Sequence, residues 1–93
     1  MLTRIVLVKP KHDLSKDEFD DCRRRFDEEF KSLDMVYDYR SGLDEHYLNQ
    51  GYTFTALIEL KDRDAIPVYE TAIVERIKPL LGEMADHYIV THV

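Results

Sequence analysis

The chain has 93 residues, 44% hydrophobic and 34% charged, with a formal net charge of −6 and a single cysteine, Cys22. That length holds one small domain, 1–93, because a second would be too short to bury a core of its own; the lone thiol excludes an internal disulfide, and no apolar run nears the ~20 residues a membrane-crossing helix needs. The acidic balance speaks against nucleic acid as a partner, since each phosphate contact needs a Lys or Arg, and the one basic run, CRRRF at 22–26, is cancelled by Asp20, Asp21, Asp27, Glu28 and Glu29.

The opening MLTRIVLV lacks the basic region, longer apolar stretch and small-residue cleavage site of a signal peptide, so a cytoplasmic location and no membrane contact are expected. Residues 2–9 read as a strand that is apolar on both faces, Ile5 and Leu7 on one and Val6 and Val8 on the other, ended by Pro10. LSKDEF carries a capping box of Ser15 and Glu18. The stripe Phe19, Cys22, Phe26, Phe30 and Leu33 then marks one buried face of a helix. Its other face sets Asp20, Asp21 and Asp27 four residues before Arg24, Arg25 and Lys31.

MVYDYRS, 35–41, alternates as a strand, with Val36 and Asp38 on one side and Met35, Tyr37 and Tyr39 on the other. GLDEHYLNQG, 42–51, reads as a polar loop, and 52–60 as a third strand with the row Tyr52, Phe54, Ala56, Ile58 and Leu60. Asp62 or Asp64 caps a second helix, and Pro67 fits its first turn. The stripe of that helix is Ile66, Tyr69, Ile73, Ile77 and Leu80; Pro79 kinks or ends it and Gly82 terminates it. DHYIVTHV, 86–93, is the last strand.

The order β-α-β-β-α-β predicts an α+β, ferredoxin-like antiparallel sheet with two helices on one face. The first and last strands want burial on both faces, yet two helices cover only one. The expected answer is a homodimer whose sheets pack face to face, forming an α/β barrel.

GYTFTALIEL followed by KDRDAIPVYE, with RIVLVK, LSKDEF and the valine-rich last strand, resembles the stress-responsive dimeric α/β barrel (Dabb) family over essentially the whole chain. The wider dimeric α/β barrel superfamily includes small lactone isomerases and cofactor-free monooxygenases. The resemblance to polyketide cyclases of the olivetolic acid cyclase type implies a His on the third strand, an H-P-x-H segment in the second helix, a further His near the first strand's start and a Tyr. Here these positions hold Phe54, then Ala72, Ile73, Val74 and Glu75, then Arg4; the tyrosine is kept as Tyr69. Cyclase chemistry of that kind is therefore not inherited. The missing proline at Ile73 also implies an unbroken second helix from about Ala65 to Lys78.

If Phe54, Ala56 and Ile58 face the helices, pairing places Arg4, Val6 and Val8 there too, joined by Tyr88, Val90 and His92, with Phe26 and Tyr69 closing a mostly apolar cavity. Tyr69 needs a partner for its hydroxyl, which a substrate oxygen or the backbone could supply. Arg4 could clamp a carboxylate or enolate, or extend into water. His92 is suited to proton transfer but stands one residue from the end of the sequence. Cys22 reads as a core thiol, His12 and His46 as solvated, and Asp44, Glu45 and His46 as a weak cation loop at most. There is no glycine-rich phosphate loop, and no cofactor is expected.

Two functional classes follow. One is a cofactor-independent enzyme doing cyclase, isomerase or decarboxylase-type proton transfer on a hydrophobic, oxygenated molecule such as a polyketide or lactone, with Tyr69, His92 and Arg4 as its machinery. The other is a non-catalytic stress-response or ligand-binding dimer. A cofactor-free monooxygenase is a further alternative, and an isolated regulatory domain a fourth.

Overall fold

A computed structural model describes residues 2–44 and 50–92. Strand β1 is Leu2–Pro10, helix α1 Lys16–Lys31, β2 Val36–Leu43 and β3 Phe54–Leu60. A 3-10 turn, Arg63–Ala65, leads into a helical arm made of α2 (Ile66–Ala72), a π turn (Ile73–Ile77) and α3 (Lys78–Met84), and β4 is Ala85–His92. The sheet is antiparallel throughout, in the order β2-β3-β1-β4, which is the ferredoxin-like α+β arrangement.

Helix α1 starts where the capping box places it. The Ser15 hydroxyl accepts from the Glu18 amide at 3.1 Å, and the Ser15 amide donates to the Glu18 carboxylate at 3.0 Å. Its stripe of Phe19, Cys22, Phe26, Phe30 and Leu33 is buried. Those rings meet β3: Phe54 lies edge-on to Phe19 at 6.0 Å and to Phe26 at 5.5 Å. Edge-to-face packing of this kind adds to the burial itself. Val8 pairs with Phe54 and Val6 with Ala56 across the β1–β3 ladder, so the two central strands give the core its floor.

On the outer face of α1, Asp21 joins Arg25 as the spacing predicts, at 3.4 Å. Arg24 instead pairs with Asp21 and Glu28, not with Asp20. Asp27 turns away from Lys31 and toward β2, where it accepts from the Tyr39 hydroxyl and, at 2.9 Å, from Ser41. Burial and the Asp27 carboxylate both hold the Tyr39 phenol neutral.

Tyr39 takes that position because β2 does not alternate as read. The ladder pairs Val36 with Leu60 and Tyr39 with Ile58, a bulge that puts Val36 and Tyr39 on the helix side and leaves Tyr37 exposed. One extra residue in a strand reverses the facing of everything after it. The Tyr39 ring then stacks on Phe30 at 5.1 Å. The strand also runs on to Leu43, inside the stretch read as loop, while Tyr52 precedes β3. Glu45 and His46 lie outside the described residues.

The second helix corrects a larger expectation. It neither ends at Lys78 nor stops at Gly82; helical structure continues through Pro79 to Met84. Proline has no N–H, and its ring crowds the carbonyl four residues earlier. The ladder widens just before it: the Lys78 amide donates to the Ile73 carbonyl, five residues back, and the α-helix resumes beyond. Gly82 therefore sits inside α3, and the Lys11 amide receives the chain's turn into β4 by donating to the Met84 carbonyl at 3.0 Å.

Candidate functional site

The helical arm leaves room above the β1–β4 side of the sheet. There a cavity of about 310 Å³ lies between Arg4 and Val6 of β1, Val90 of β4, Phe30 of α1, and Tyr69 of α2. The π turn supplies much of the opposite wall through Ile73, Val74 and Ile77. Val74 and Val90 are each more than half exposed, so the cavity opens between them. A π turn displaces side chains from the ordinary helical rows, a feature often found where a helix borders a site.

Two polar groups define the interior. Tyr69 is 4% exposed, and among the described residues nothing hydrogen-bonds its hydroxyl. Burial pushes its pKa up to about 12, against the opposing pull of the Arg4 charge. The phenol is thus a hydrogen-bond donor at neutral pH and a poor base. Arg4 has a buried Nε with no hydrogen-bond partner, and no described carboxylate stands within 4 Å of it. An arginine nitrogen hidden from water without an acceptor is costly to the free protein and favours a ligand oxygen that would satisfy it.

Arg4 and Tyr69 therefore come together. His92 is the ladder partner of Arg4, but it lines a neighbouring hollow of about 210 Å³ with Leu2, Arg63 and Ile66, and Arg4 forms the wall common to both. Val6 and Val90 line the main cavity as the pairing implies. Val8, Phe26, Phe54, Ala56 and Ile58 do not; all five have no exposed surface and belong to the core. The phenylalanines of α1 fill the space over β3, so the opening shifts toward β1 and β4. Tyr88 is exposed on β4 and outside the cavity.

Sequence reasoning missed Phe30 and the π-turn side chains as lining groups, and Glu70 and Lys78 at the same wall. The available signal was the apolar run Leu80, Leu81 and Met84, which carries the helical pattern past Pro79 and requires some irregularity before it. Cys22 is buried, and its sulfur receives an Arg25 N–H at 3.4 Å. Among the described residues no group of three His, Cys, Asp or Glu could hold a metal ion; the loop of Asp44, Glu45 and His46 falls largely outside them.

This architecture is the ferredoxin-like fold of a set of solved dimeric and Dabb proteins. A hydroxynitrile lyase from Passiflora edulis matches with a TM-score of 0.83 at 13% identity, covering 99% of this chain and 90% of that one. A Dabb family protein from Mesorhizobium loti matches at 0.76 and 13%, covering 99% and 93%. A dimeric protein of unknown function from Bacteroides fragilis matches at 0.75 and 19%, again covering 99% and 93%. Likeness at these identities establishes the fold. No family model matches the chain, and no curated protein matches it.

The Tyr69 environment has a consequence at high pH. With a folded pKa of about 12 and an unfolded value near 10, the unfolded chain releases this proton first, so stability present below pH 10 is lost as pH rises toward 12. Between pH 9 and pH 11 this residue alone costs about 1.4 kcal/mol. Urea unfolding of wild type and Tyr69→Phe at both pH values measures it: the variant should lose less stability by about that amount. Equal losses would mean that the phenol is not shielded.

Proposed function

We propose that the protein is a cytoplasmic homodimer acting as a cofactor-independent enzyme on a small hydrophobic molecule that carries a carbonyl or enolate oxygen, through proton-transfer chemistry of the isomerase or cyclase kind. The observation that carries the reading is a guanidinium with a buried Nε and a buried phenol, neither with an acceptor among the described residues, on one mostly apolar cavity. Tyr69 donates to the substrate oxygen and Arg4 holds the negative charge that gathers there as a carbon-bound proton leaves. Glu70, a carboxylate on the same cavity wall, accepts that proton. His92, in the adjoining hollow, is left to hold substrate.

A non-catalytic ligand-binding dimer is the second reading, and Phe54 favours it. The position where the resemblance implies a histidine is filled by a ring locked between Phe19 and Phe26. The two readings separate on a panel of lactones, cyanohydrins and β-keto esters assayed after dialysis against a chelator. The enzyme reading expects turnover that Tyr69→Phe lowers about 100-fold or more with an unchanged urea midpoint. Turnover indifferent to Tyr69→Phe would contradict it, and binding without turnover across the panel would favour the second reading.

The dimer rests on the sheet's other face. Ile5 pairs with Leu57 and Leu7 with Ile89, giving an apolar patch on the side away from the helices. Each such side chain gains on the order of 1.5–3 kcal/mol from full burial, and a second copy of the same patch would provide it. No described helix is long and apolar enough to cross a membrane, and the structural neighbour from Bacteroides fragilis is described as dimeric. Leu7→Asp should convert a dimer to a monomer in sedimentation equilibrium at micromolar concentration. A wild-type monomer, or a variant that still dimerises, would defeat the arrangement.

A further inference from the structure

The chain has seven arginines against an excess of acidic residues. Arg23, Arg24, Arg25, Arg40 and Arg76 each have a carboxylate within 4 Å. Arg4 and Arg63 are the two that have none among the described residues, and they line the same 210 Å³ hollow, with His92 beside them and Leu2 and Ile66 as its apolar wall. In a protein of net charge −6, two guanidiniums left without partners around one hollow form a local concentration of positive charge that a solvated surface would ordinarily neutralise.

We infer that this hollow is an oxyanion-binding subsite, and that the natural ligand is an amphiphile with a carboxylate or phosphate head held by Arg4, Arg63 and His92 and an apolar body lying in the Tyr69 cavity. Arg4 is the wall between the two spaces, so a ligand crossing it places its head on one side and its body on the other. A guanidinium offers a planar pair of N–H donors that matches two oxygens of such a head. The buried, unpartnered Nε of Arg4 gains an acceptor in the same step. Arg63 lies in the 3-10 turn that leads directly into α2, the helix that carries Tyr69. The inference rests on the reading that the Tyr69 cavity takes a small hydrophobic molecule, and it holds whether or not that molecule is turned over.

Octanoate, octyl phosphate and octanol share an apolar body and differ in the head, and calorimetry or displacement of the neutral dye Nile red gives the affinity of each. In wild type at least one anion should bind about tenfold or more tighter than the alcohol, and the tighter of the two anions names the head. Arg63→Gln should erase most of that preference, while Arg24→Gln, which removes the same charge from the outer face of α1, should leave it intact. Equal binding of all three would overturn the subsite while leaving the cavity reading standing, as would a preference that survives Arg63→Gln. Failure of all three to bind would overturn the cavity reading and this inference with it.

Discussion

The structure turns on where the β-ladder places Arg4. Its rung joins Ile58 on one side and His92 on the other, on the face of the sheet that the helices cover. The neighbouring rungs on that face are Val6 with Ala56 and Val90, then Val8 with Phe54 and Tyr88. A charged group in such a row must reach solvent, find an acid or border a cavity. Here it borders two hollows and has no carboxylate within 4 Å among the described residues, so the same register that builds the core also builds the site.

The helical arm determines how much room Arg4 has. Phe19, Phe26 and Phe30 of α1 close the sheet above β3, where Phe54, Ala56, Ile58 and Leu60 are fully buried. The second arm has to pass Pro79, and the π turn that lets it do so presents Ile73, Val74 and Ile77 to the space over β1 and β4. A backbone constraint at one residue thereby becomes the wall of a cavity. The Tyr39–Asp27–Ser41 clasp holds α1 to β2 at the opposite edge, and the Arg4–Tyr69 cavity lies on the β4 side.

The fold was legible in the sequence because its signals are local and repeated: the Ser15–Glu18 box, the phenylalanine stripe of α1 and the alternation of β3. The candidate site was legible only in part. Strand pairing is enough to bring Arg4, Val6 and Val90 to one face, and the stripe of the second helix brings Tyr69 toward them. Two things were hidden. A bulge at Tyr37 has no marker in MVYDYRS, since plain alternation sets Met35, Tyr37 and Tyr39 on one acceptable face and gives no reason to break it. The extent of packing was the other: Phe54, Ala56 and Ile58 do face the helices, but periodicity says which way a side chain points and not whether anything fills the space in front of it. Core and cavity wall look alike at that level. His92 shows the same limit, since a ladder partner of Arg4 can still border a different hollow.

Everything proposed for ligand and reaction depends on the Arg4 guanidinium and the Tyr69 hydroxyl sharing one cavity. Titrating ¹³Cζ-tyrosine by NMR in wild type and in Arg4→Met reads this directly and needs no ligand. Tyr69 should titrate at about 12 in wild type and higher in Arg4→Met, because the variant removes the nearby positive charge that favours the phenolate. A Tyr69 that titrates near the ordinary tyrosine value of about 10, or whose pKa does not move when Arg4 is replaced, would contradict the shared cavity.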